Sequence, residues 1–192
     1  MKTEARFWIY PLIIAGTLLL LSFSCKKEDE TIPSIQFNND LTYGTMTDQD
    51  GNTYKTITIG TQTWMAENLK TTKYRNGDPI PNVTDISEWY HLTTGAYCDY
   101  INTPGSDVTY GKLYNWHTVA DSRNIAPTGW HVPSDAEWAI LIEYLGGSDV
   151  AGGKLKETGT THWYNPTTEA TNESGFTGLP GGSAPPMVHS AA

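Results

Sequence analysis

The sequence predicts a loop-rich globular domain that contains both β-strands and short helices. The chain of 192 residues holds 18 glycines and 11 prolines, a share that favours turns over a helical bundle. A turn signal followed by β-branched residues lies in the first half, and an amphipathic helix pattern lies in the second half. One domain and a tail account for this length better than several domains do.

The composition argues against two classes of protein. Charged residues are only 17 % and aromatic residues are 11 % of the chain, whereas disordered sequences are highly charged and poor in aromatics. The formal net charge of −9 leaves no basic surface that could neutralise phosphates. We therefore expect no nucleic acid partner.

A β-hairpin is predicted around residues 48–52. Asp50 and Gly51 form an Asp-Gly turn signal, and residues 53–59 are rich in β-branched side chains. The spacing of acidic and amide residues is similar to that of a calcium loop, but Ile59 stands where such a loop needs a glutamate. The pattern favours a turn over a metal site. Residues 64–69 are predicted as a third strand.

The segment 70–107 shows no lasting periodicity and is predicted to consist of loops. Four of its aromatic residues have two interpretations, because they could pin the loops to a core or form a surface on which sugars stack. These residues are Trp89, Tyr90, Tyr97 and Tyr100.

Two helices are predicted in the second half of the chain. Residues 110–120 have apolar side chains at helical spacing, which predicts one short helix. The second helix, over 135–145, is preceded by Ser134 and carries Glu137 in its first turn, which is the capping-box pattern. Trp138, Leu141, Ile142 and Leu145 then form an apolar stripe. Residues 147–154 are predicted to be a turn and the start of another short helix, because their glycine spacing does not fit a phosphate-binding loop.

The first 24 residues predict an export signal. Lys2 and Arg6 precede an uncharged, leucine-rich run that ends just before Cys25. The alternative is an uncleaved membrane-spanning helix, because the run approaches the roughly 20 residues that a bilayer requires. Cys25, placed between this run and a hydrophilic stretch, resembles the lipobox cysteine of bacterial lipoproteins, whose thiol is acylated. We therefore expect a lipoprotein signal peptide over 1–24 and lipidation at Cys25.

The residues that follow Cys25 indicate where the protein is held. The stretch 26–30 has two lysines and three acidic residues, and it resembles the signal that sends lipoproteins of Bacteroidetes to the outer face of the outer membrane. A solvated charged spacer is a compatible interpretation. Residues 25–41 are predicted to be the lipidated cysteine and a flexible acidic tether. We expect the membrane to be a partner through the lipid anchor, with the domain outside the cell.

The sequence offers no support for catalysis. No two of the five histidines have the spacing of a zinc protease, and none lies in a Cys/His cluster. Cys98 lies among aromatic residues, without a nearby basic residue that would lower the pKa of its thiol. We expect no metal, no cofactor and no enzymatic activity.

Short motifs rich in aromatic residues and glycine recur along residues 45–182. They include Asp50-Gly51-Asn52-x-Tyr54, Trp64-Met65-Ala66-Glu67-Asn68-Leu69, Gly95-Ala96-Tyr97-Cys98, Tyr110-Gly111-Lys112-Leu113-Tyr114-Asn115-Trp116, Pro127-Thr128-Gly129-Trp130-His131-Val132-Pro133-Ser134-Asp135-x-Glu137-Trp138, Gly152-Gly153-Lys154-Leu155-Lys156, Asn172-Glu173-Ser174-Gly175-Phe176 and Leu179-Pro180-Gly181-Gly182. Together these motifs resemble the Fibrobacter succinogenes major paralogous domain, over residues 45–182.

The resemblance implies an α+β fold of the C-type-lectin type, in which two helices flank small antiparallel sheets. It also implies extracellular binding of a glycan or a protein, or adhesion. The alternatives are an enzyme of the formylglycine-generating type and a purely structural envelope protein.

The last ten residues, 183–192, depart from the family pattern and have no strand character. The family continues at this point to a closing strand that contains a cysteine. The resemblance therefore implies that the C-terminal strands are missing, that a sheet edge is exposed and that Cys98 has lost its disulfide partner. We expect a truncated product with a free Cys98 thiol that unfolds at low denaturant concentration.

Overall fold

A three-stranded antiparallel sheet opens the domain, and it is built from the predicted hairpin and the predicted third strand. The computed structural model describes residues 33–164 and 169–182; the predicted signal peptide, Cys25 and the tail 183–192 lie outside these ranges. The strand order is β1-β2-β3. The strands are β1 (Gly44–Thr47), β2 (Thr53–Ile59) and β3 (Gln62–Met65).

The turn between β1 and β2 is held by the carboxylate of Asp48. This carboxylate accepts hydrogen bonds from the backbone N–H groups of Asp50 and Asn52, each at 2.9 Å. It also accepts one from the hydroxyl of Tyr54 at 2.6 Å. The predicted turn is confirmed, and the oxygens of Asp48 are engaged in holding it together.

The remaining secondary structure consists of short helices and a second, two-stranded sheet. The molecule is thus a mixed α and β protein with small antiparallel sheets, as predicted. The helices are α1 (Ile86–His91), α2 (Asp107–Tyr110), α3 (Trp116–Val119), α4 (Asp135–Tyr144) and α5 (Ser148–Leu155), and the second sheet pairs β4 (Tyr97–Asp99) with β5 (Lys112–Tyr114).

Helix α4 packs its apolar stripe against the first sheet. Ser134 and Glu137 form both hydrogen bonds of the capping box, which fixes the start of the helix where it was predicted. Leu141 and Leu145 are buried against β2 and β3, and they form the main core with Trp64. Helix α5 follows the predicted turn at Gly147, whose φ of +96° suits a glycine.

The prediction of one helix over 110–120 is wrong. Gly111 has a φ of +66° and ends α2, and the next three residues form β5. A Cβ at Gly111 would lie 2.7 Å from the carbonyl oxygen of Leu69, so only glycine fits this reversal. Trp116, one of the residues at helical spacing in this segment, is 74 % exposed. Pairing with β4 has overridden the local helical pattern, since strand pairing depends on distant residues.

The segment 70–107 contains more regular structure than predicted, because α1 and β4 both lie in it. Asp85 caps α1 by accepting a hydrogen bond from the backbone N–H of Glu88. Tyr97 belongs to a second buried cluster with Tyr74, and Tyr100 stacks on Tyr110 with ring centroids 4.3 Å apart. Tyr97 and Tyr100 therefore hold their loops in place, which is the first of the two interpretations given for these aromatic residues.

The chain between residues 33 and 41 lies against the domain. Phe37 and Leu41 pack on the main core. The backbone N–H of Gln36 donates to a carboxylate oxygen of Glu157 at 2.6 Å. The second carboxylate oxygen of Glu157 lies 2.6 Å from Nδ1 of His162, and both side chains are fully buried. The packed domain thus includes residues that the sequence analysis assigned to the tether.

Candidate functional site

A groove of about 560 Å³ runs beside β3. One wall is β3 with the residues that continue it as far as Leu69. The opposite wall is the loop 126–133, and a third side is formed by residues 176–179. Three segments that are far apart in the sequence thus meet at one concave surface.

Aromatic rings form one side of the groove. Trp64 on β3 packs against Trp138 on α4 with ring centroids 4.6 Å apart, and Phe176 lies 6.0 Å from Trp64. Trp64 is buried, whereas Trp130, Trp138 and Phe176 are half-buried and also line the groove. The rings present an apolar surface on which a flat or apolar ligand could pack.

The indole N–H of Trp64 is buried without a hydrogen-bond partner among the described residues. The side-chain oxygen of Gln62, another lining residue, is also buried and unpaired in this part of the chain. Buried polar groups in proteins are nearly always paired. Two such unpaired groups therefore lie on β3, although unpaired groups also occur away from the groove, for example the buried hydroxyl of Tyr74.

Arginine 75 holds the loop that forms the opposite wall. Its guanidinium group donates to the carbonyl oxygens of Ala126 at 2.8 Å, Pro127 at 3.1 Å and Trp130 at 2.6 Å. Hydrogen bonds from a charged donor are stronger than neutral ones. Arg75 thus positions Trp130 over the groove, and the sequence patterns did not indicate this role.

The rim of the groove is acidic. Glu137 accepts hydrogen bonds from the backbone N–H and the hydroxyl of Ser134, each at 2.8 Å, and its other oxygen lies 2.6 Å from Nε2 of His131. The backbone and hydroxyl hydrogen bonds of Ser134, with that of His131, lower the pKa of Glu137 to about 2. Glu67, also on the wall, accepts from the backbone N–H of Lys55. The lining residues that the structure describes include no lysine or arginine.

Two residues considered in the sequence analysis lie away from the groove. Cys98 is buried on β4 as a free thiol, and burial, reinforced by Asp99, raises the pKa of this thiol to about 11. Tyr90 is 71 % exposed on α1 and does not line the groove. The lipidation residue predicted at position 25 lies outside the described residues.

Residues 33–164 and 169–182 contain neither a metal-binding cluster nor a membrane-spanning helix. No group of three or more His, Cys, Asp or Glu side chains in these ranges could hold a metal ion. In the same ranges no helix has the length and apolar character needed to cross a bilayer.

The groove was missed by the sequence analysis, although all three of its sides contain quoted motif residues. Trp64, Trp130 and Phe176 belong to three separate motifs. The only available signal for the groove was that each of these three motifs contains an aromatic residue. No local pattern shows that distant segments share one surface.

The comparison with known proteins identifies the family. The Fibrobacter succinogenes major domain matches residues 57–190, which is more than half of the chain. No curated protein and no solved structure matches the sequence. The chain belongs to the Fibrobacter succinogenes major domain family.

Proposed function

We propose that this protein is a lipid-anchored, non-enzymatic binding module of the outer cell surface, which holds an extracellular ligand in the groove beside β3. The observation that carries the proposal is the groove itself. Its volume of about 560 Å³ lies within the range of ligand pockets, and its lining combines several aromatic rings with a few polar groups. The ligand is an extracellular glycan or protein, and its recognition serves adhesion.

The fold we propose is of the C-type-lectin type. Its support is the arrangement of α4 and α5 beside small antiparallel sheets, together with membership of the family. Fold alone does not define a ligand, so the groove and not the fold carries the functional argument.

The non-enzymatic role is supported by what the carboxylates at the groove do. Glu137 completes the capping box of α4 and binds His131. Glu67 accepts from the backbone of β2. Each carboxylate therefore stabilises local structure, and Ser134 donates its hydroxyl hydrogen to Glu137 and not to a histidine that could activate it.

The anchor rests on Cys25 and the apolar run that precedes it. Two or three acyl chains hold a protein stably on a membrane, whereas a single chain does not. We expect the protein expressed with its signal peptide in a host of the Bacteroidetes to incorporate labelled palmitate and to fractionate with the outer membrane. The C25S variant should incorporate no label. Protease treatment of intact cells should cleave the protein, and an untouched protein would contradict its exposure at the surface.

The binding role is tested by comparing two tryptophan variants on glycan and peptide arrays. W130A removes an aromatic ring from the groove, and W116A removes an exposed ring that does not line it. We expect ligands bound by the full-length protein to be lost in W130A and retained in W116A. The proposal fails if the arrays yield no ligand, or if W130A binds as the parent protein does.

A further inference from the structure

We propose that the groove binds an extended, apolar peptide segment of another protein, which adds to the first sheet as a fourth strand beside β3. This inference rests on the proposed function, in which the groove is the binding site, and it adds the class of ligand that the groove binds. Its basis is the outer edge of β3, which has no strand partner among residues 33–164 and 169–182, since the order β1-β2-β3 leaves β3 at the end of the sheet. An unpaired edge is a template for a further strand.

The register of the sheet shows which backbone groups of β3 point into the groove. Trp64 pairs with Ile57, and Gln62 pairs with Ile59. The backbone N–H of Ala66 donates to the carbonyl of Lys55 at 2.9 Å, so residues 62, 64 and 66 direct their backbone groups toward β2.

Because neighbouring residues of a strand direct their backbone groups to opposite sides, Thr63 and Met65 direct theirs away from β2. Neither residue has a further backbone hydrogen bond within the described part of the chain. Both residues line the groove. Their two N–H and two C=O groups form a row that matches the backbone of an extended peptide.

The lining of the groove selects the side chains of this peptide. Aromatic and aliphatic residues predominate, among them Trp130, Val132 and Leu179, so the inward-facing residues of the peptide should be apolar. The charged lining groups include Glu67 and Glu137, with no lysine or arginine among the described lining residues. An uncharged or basic segment therefore fits, and an acidic one is repelled. A glycan could pack on the same rings but would not use the row of backbone groups.

The test uses synthetic peptides of about eight residues, longer than the four residues of β3. One peptide alternates threonine and valine and ends in lysine, and a second carries glutamate in place of lysine. In a third peptide every second backbone amide is N-methylated, and in a fourth peptide the remaining alternate amides are N-methylated. We expect the lysine peptide to bind the full-length protein more tightly than the glutamate peptide. N-methylation of one alternate set should weaken binding by about tenfold, because two backbone hydrogen bonds are lost, and methylation of the other set should change it little.

The matched protein variants are T63P and T63V. T63P removes a backbone N–H that points away from β2, so no hydrogen bond between β2 and β3 is lost. Edge strands tolerate proline at such positions. T63V keeps that N–H and, like proline, lacks the hydroxyl. We expect the lysine peptide to lose affinity for T63P and to keep it for T63V, with both variants folded by circular dichroism.

The outcomes separate this inference from the proposed function. Equal binding of both N-methylated peptides and the parent peptide would overturn strand addition, whatever T63P does. W130A-sensitive binding of glycans without binding of any peptide would overturn it as well, and would leave the binding module standing. Absence of any W130A-sensitive ligand would overturn both.

Discussion

Asp50 is a carboxylate whose hydrogen bonds tie the first turn to the chain that follows β3. Its carboxylate accepts from the backbone and the hydroxyl of Thr72, and it pairs with Lys73 at 2.9 Å. Burial raises the pKa of Asp50, but the hydrogen bonds from Thr72, Lys73 and Thr71 outweigh it and hold the pKa at about 2. The folded state therefore favours the ionised form.

This lowered pKa makes stability depend on pH. The contribution of Asp50 is fully present above its ordinary pKa of 3.8 and is lost as the pH falls toward about 2. We expect D50N to be less stable than the parent at pH 7, and the difference in the free energy of unfolding to shrink between pH 4 and pH 2. Urea unfolding across this range measures the difference. A difference that stays constant with pH would contradict the assignment.

Cys98 should be a free thiol that is slow to react. It is buried on β4 and its pKa is raised to about 11, so the reactive thiolate is scarce at neutral pH. We expect Ellman's reagent to label the folded, lipidated protein slowly and the guanidinium-unfolded protein at once. Rapid labelling of the folded protein would contradict the burial. Labelling that is absent even after unfolding would mean that this thiol is blocked.

Gly111 joins two elements, α2 and β5, and its substitution tests that junction. A side chain at this position meets both a positive φ and the backbone of Leu69 at 2.7 Å. We expect G111A to lower the free energy of unfolding by about 2 kcal/mol or more, because left-handed backbone alone costs roughly 1–2 kcal/mol.

The matched control is G77A. Gly77 also has a positive φ, but nothing lies within 4 Å of the position where its Cβ would be. G77A should therefore show only the backbone cost, roughly 1–2 kcal/mol. Equal losses in the two variants, measured by urea unfolding, would show that the contact with Leu69 does not constrain the junction.

The sequence predicted some helices and strands more accurately than others. Helix α4 begins and ends within a residue of its predicted limits, because its capping box and apolar stripe are local signals. β5 was predicted as helix, since its residues lie in a segment with helical spacing and the strand exists only through pairing with β4. Short strands in long loops depend on distant partners, so a single sequence does not reveal them.

At the scale of the whole molecule, a buried pair connects the start of the described chain to its C-terminal part. Glu157 binds the backbone N–H of Gln36 and the ring of His162, whose other nitrogen lies 3.2 Å from the carbonyl oxygen of Pro33. This arrangement holds residues 33–36 against the packed domain.

Removing Glu157 should free this segment. We expect E157A to lower the free energy of unfolding by about 1–3 kcal/mol, because it leaves the buried ring of His162 without its hydrogen-bond partner. The amide of Gln36 should also lose its protection against hydrogen exchange. The control E173A removes an exposed partner of Lys154 and should cost less than about 1 kcal/mol. A protected Gln36 amide in folded E157A would contradict the role of the pair.

The candidate site illustrates why function was harder to predict than fold. Trp64 and Trp130 were noted as motif residues, yet their separation of 66 positions conceals that they line one groove. Arg75, which holds the loop carrying Trp130, stands in a segment predicted to consist of loops. Such contacts are made between chain segments, and sequence periodicity describes only each segment by itself.

The sequence by itself determined the family, the first hairpin, helix α4 and the acidic net charge, because these depend on motifs, local hydrogen bonds and composition. Only the tertiary structure decided that the outer edge of β3, unpaired within the described part of the chain, faces an aromatic groove. It also decided that Gly111 breaks a predicted helix and that residues 33–41 pack on the domain. The physical reason is that local signals act within a few residues, whereas packing and strand pairing join residues that only the folded chain brings together.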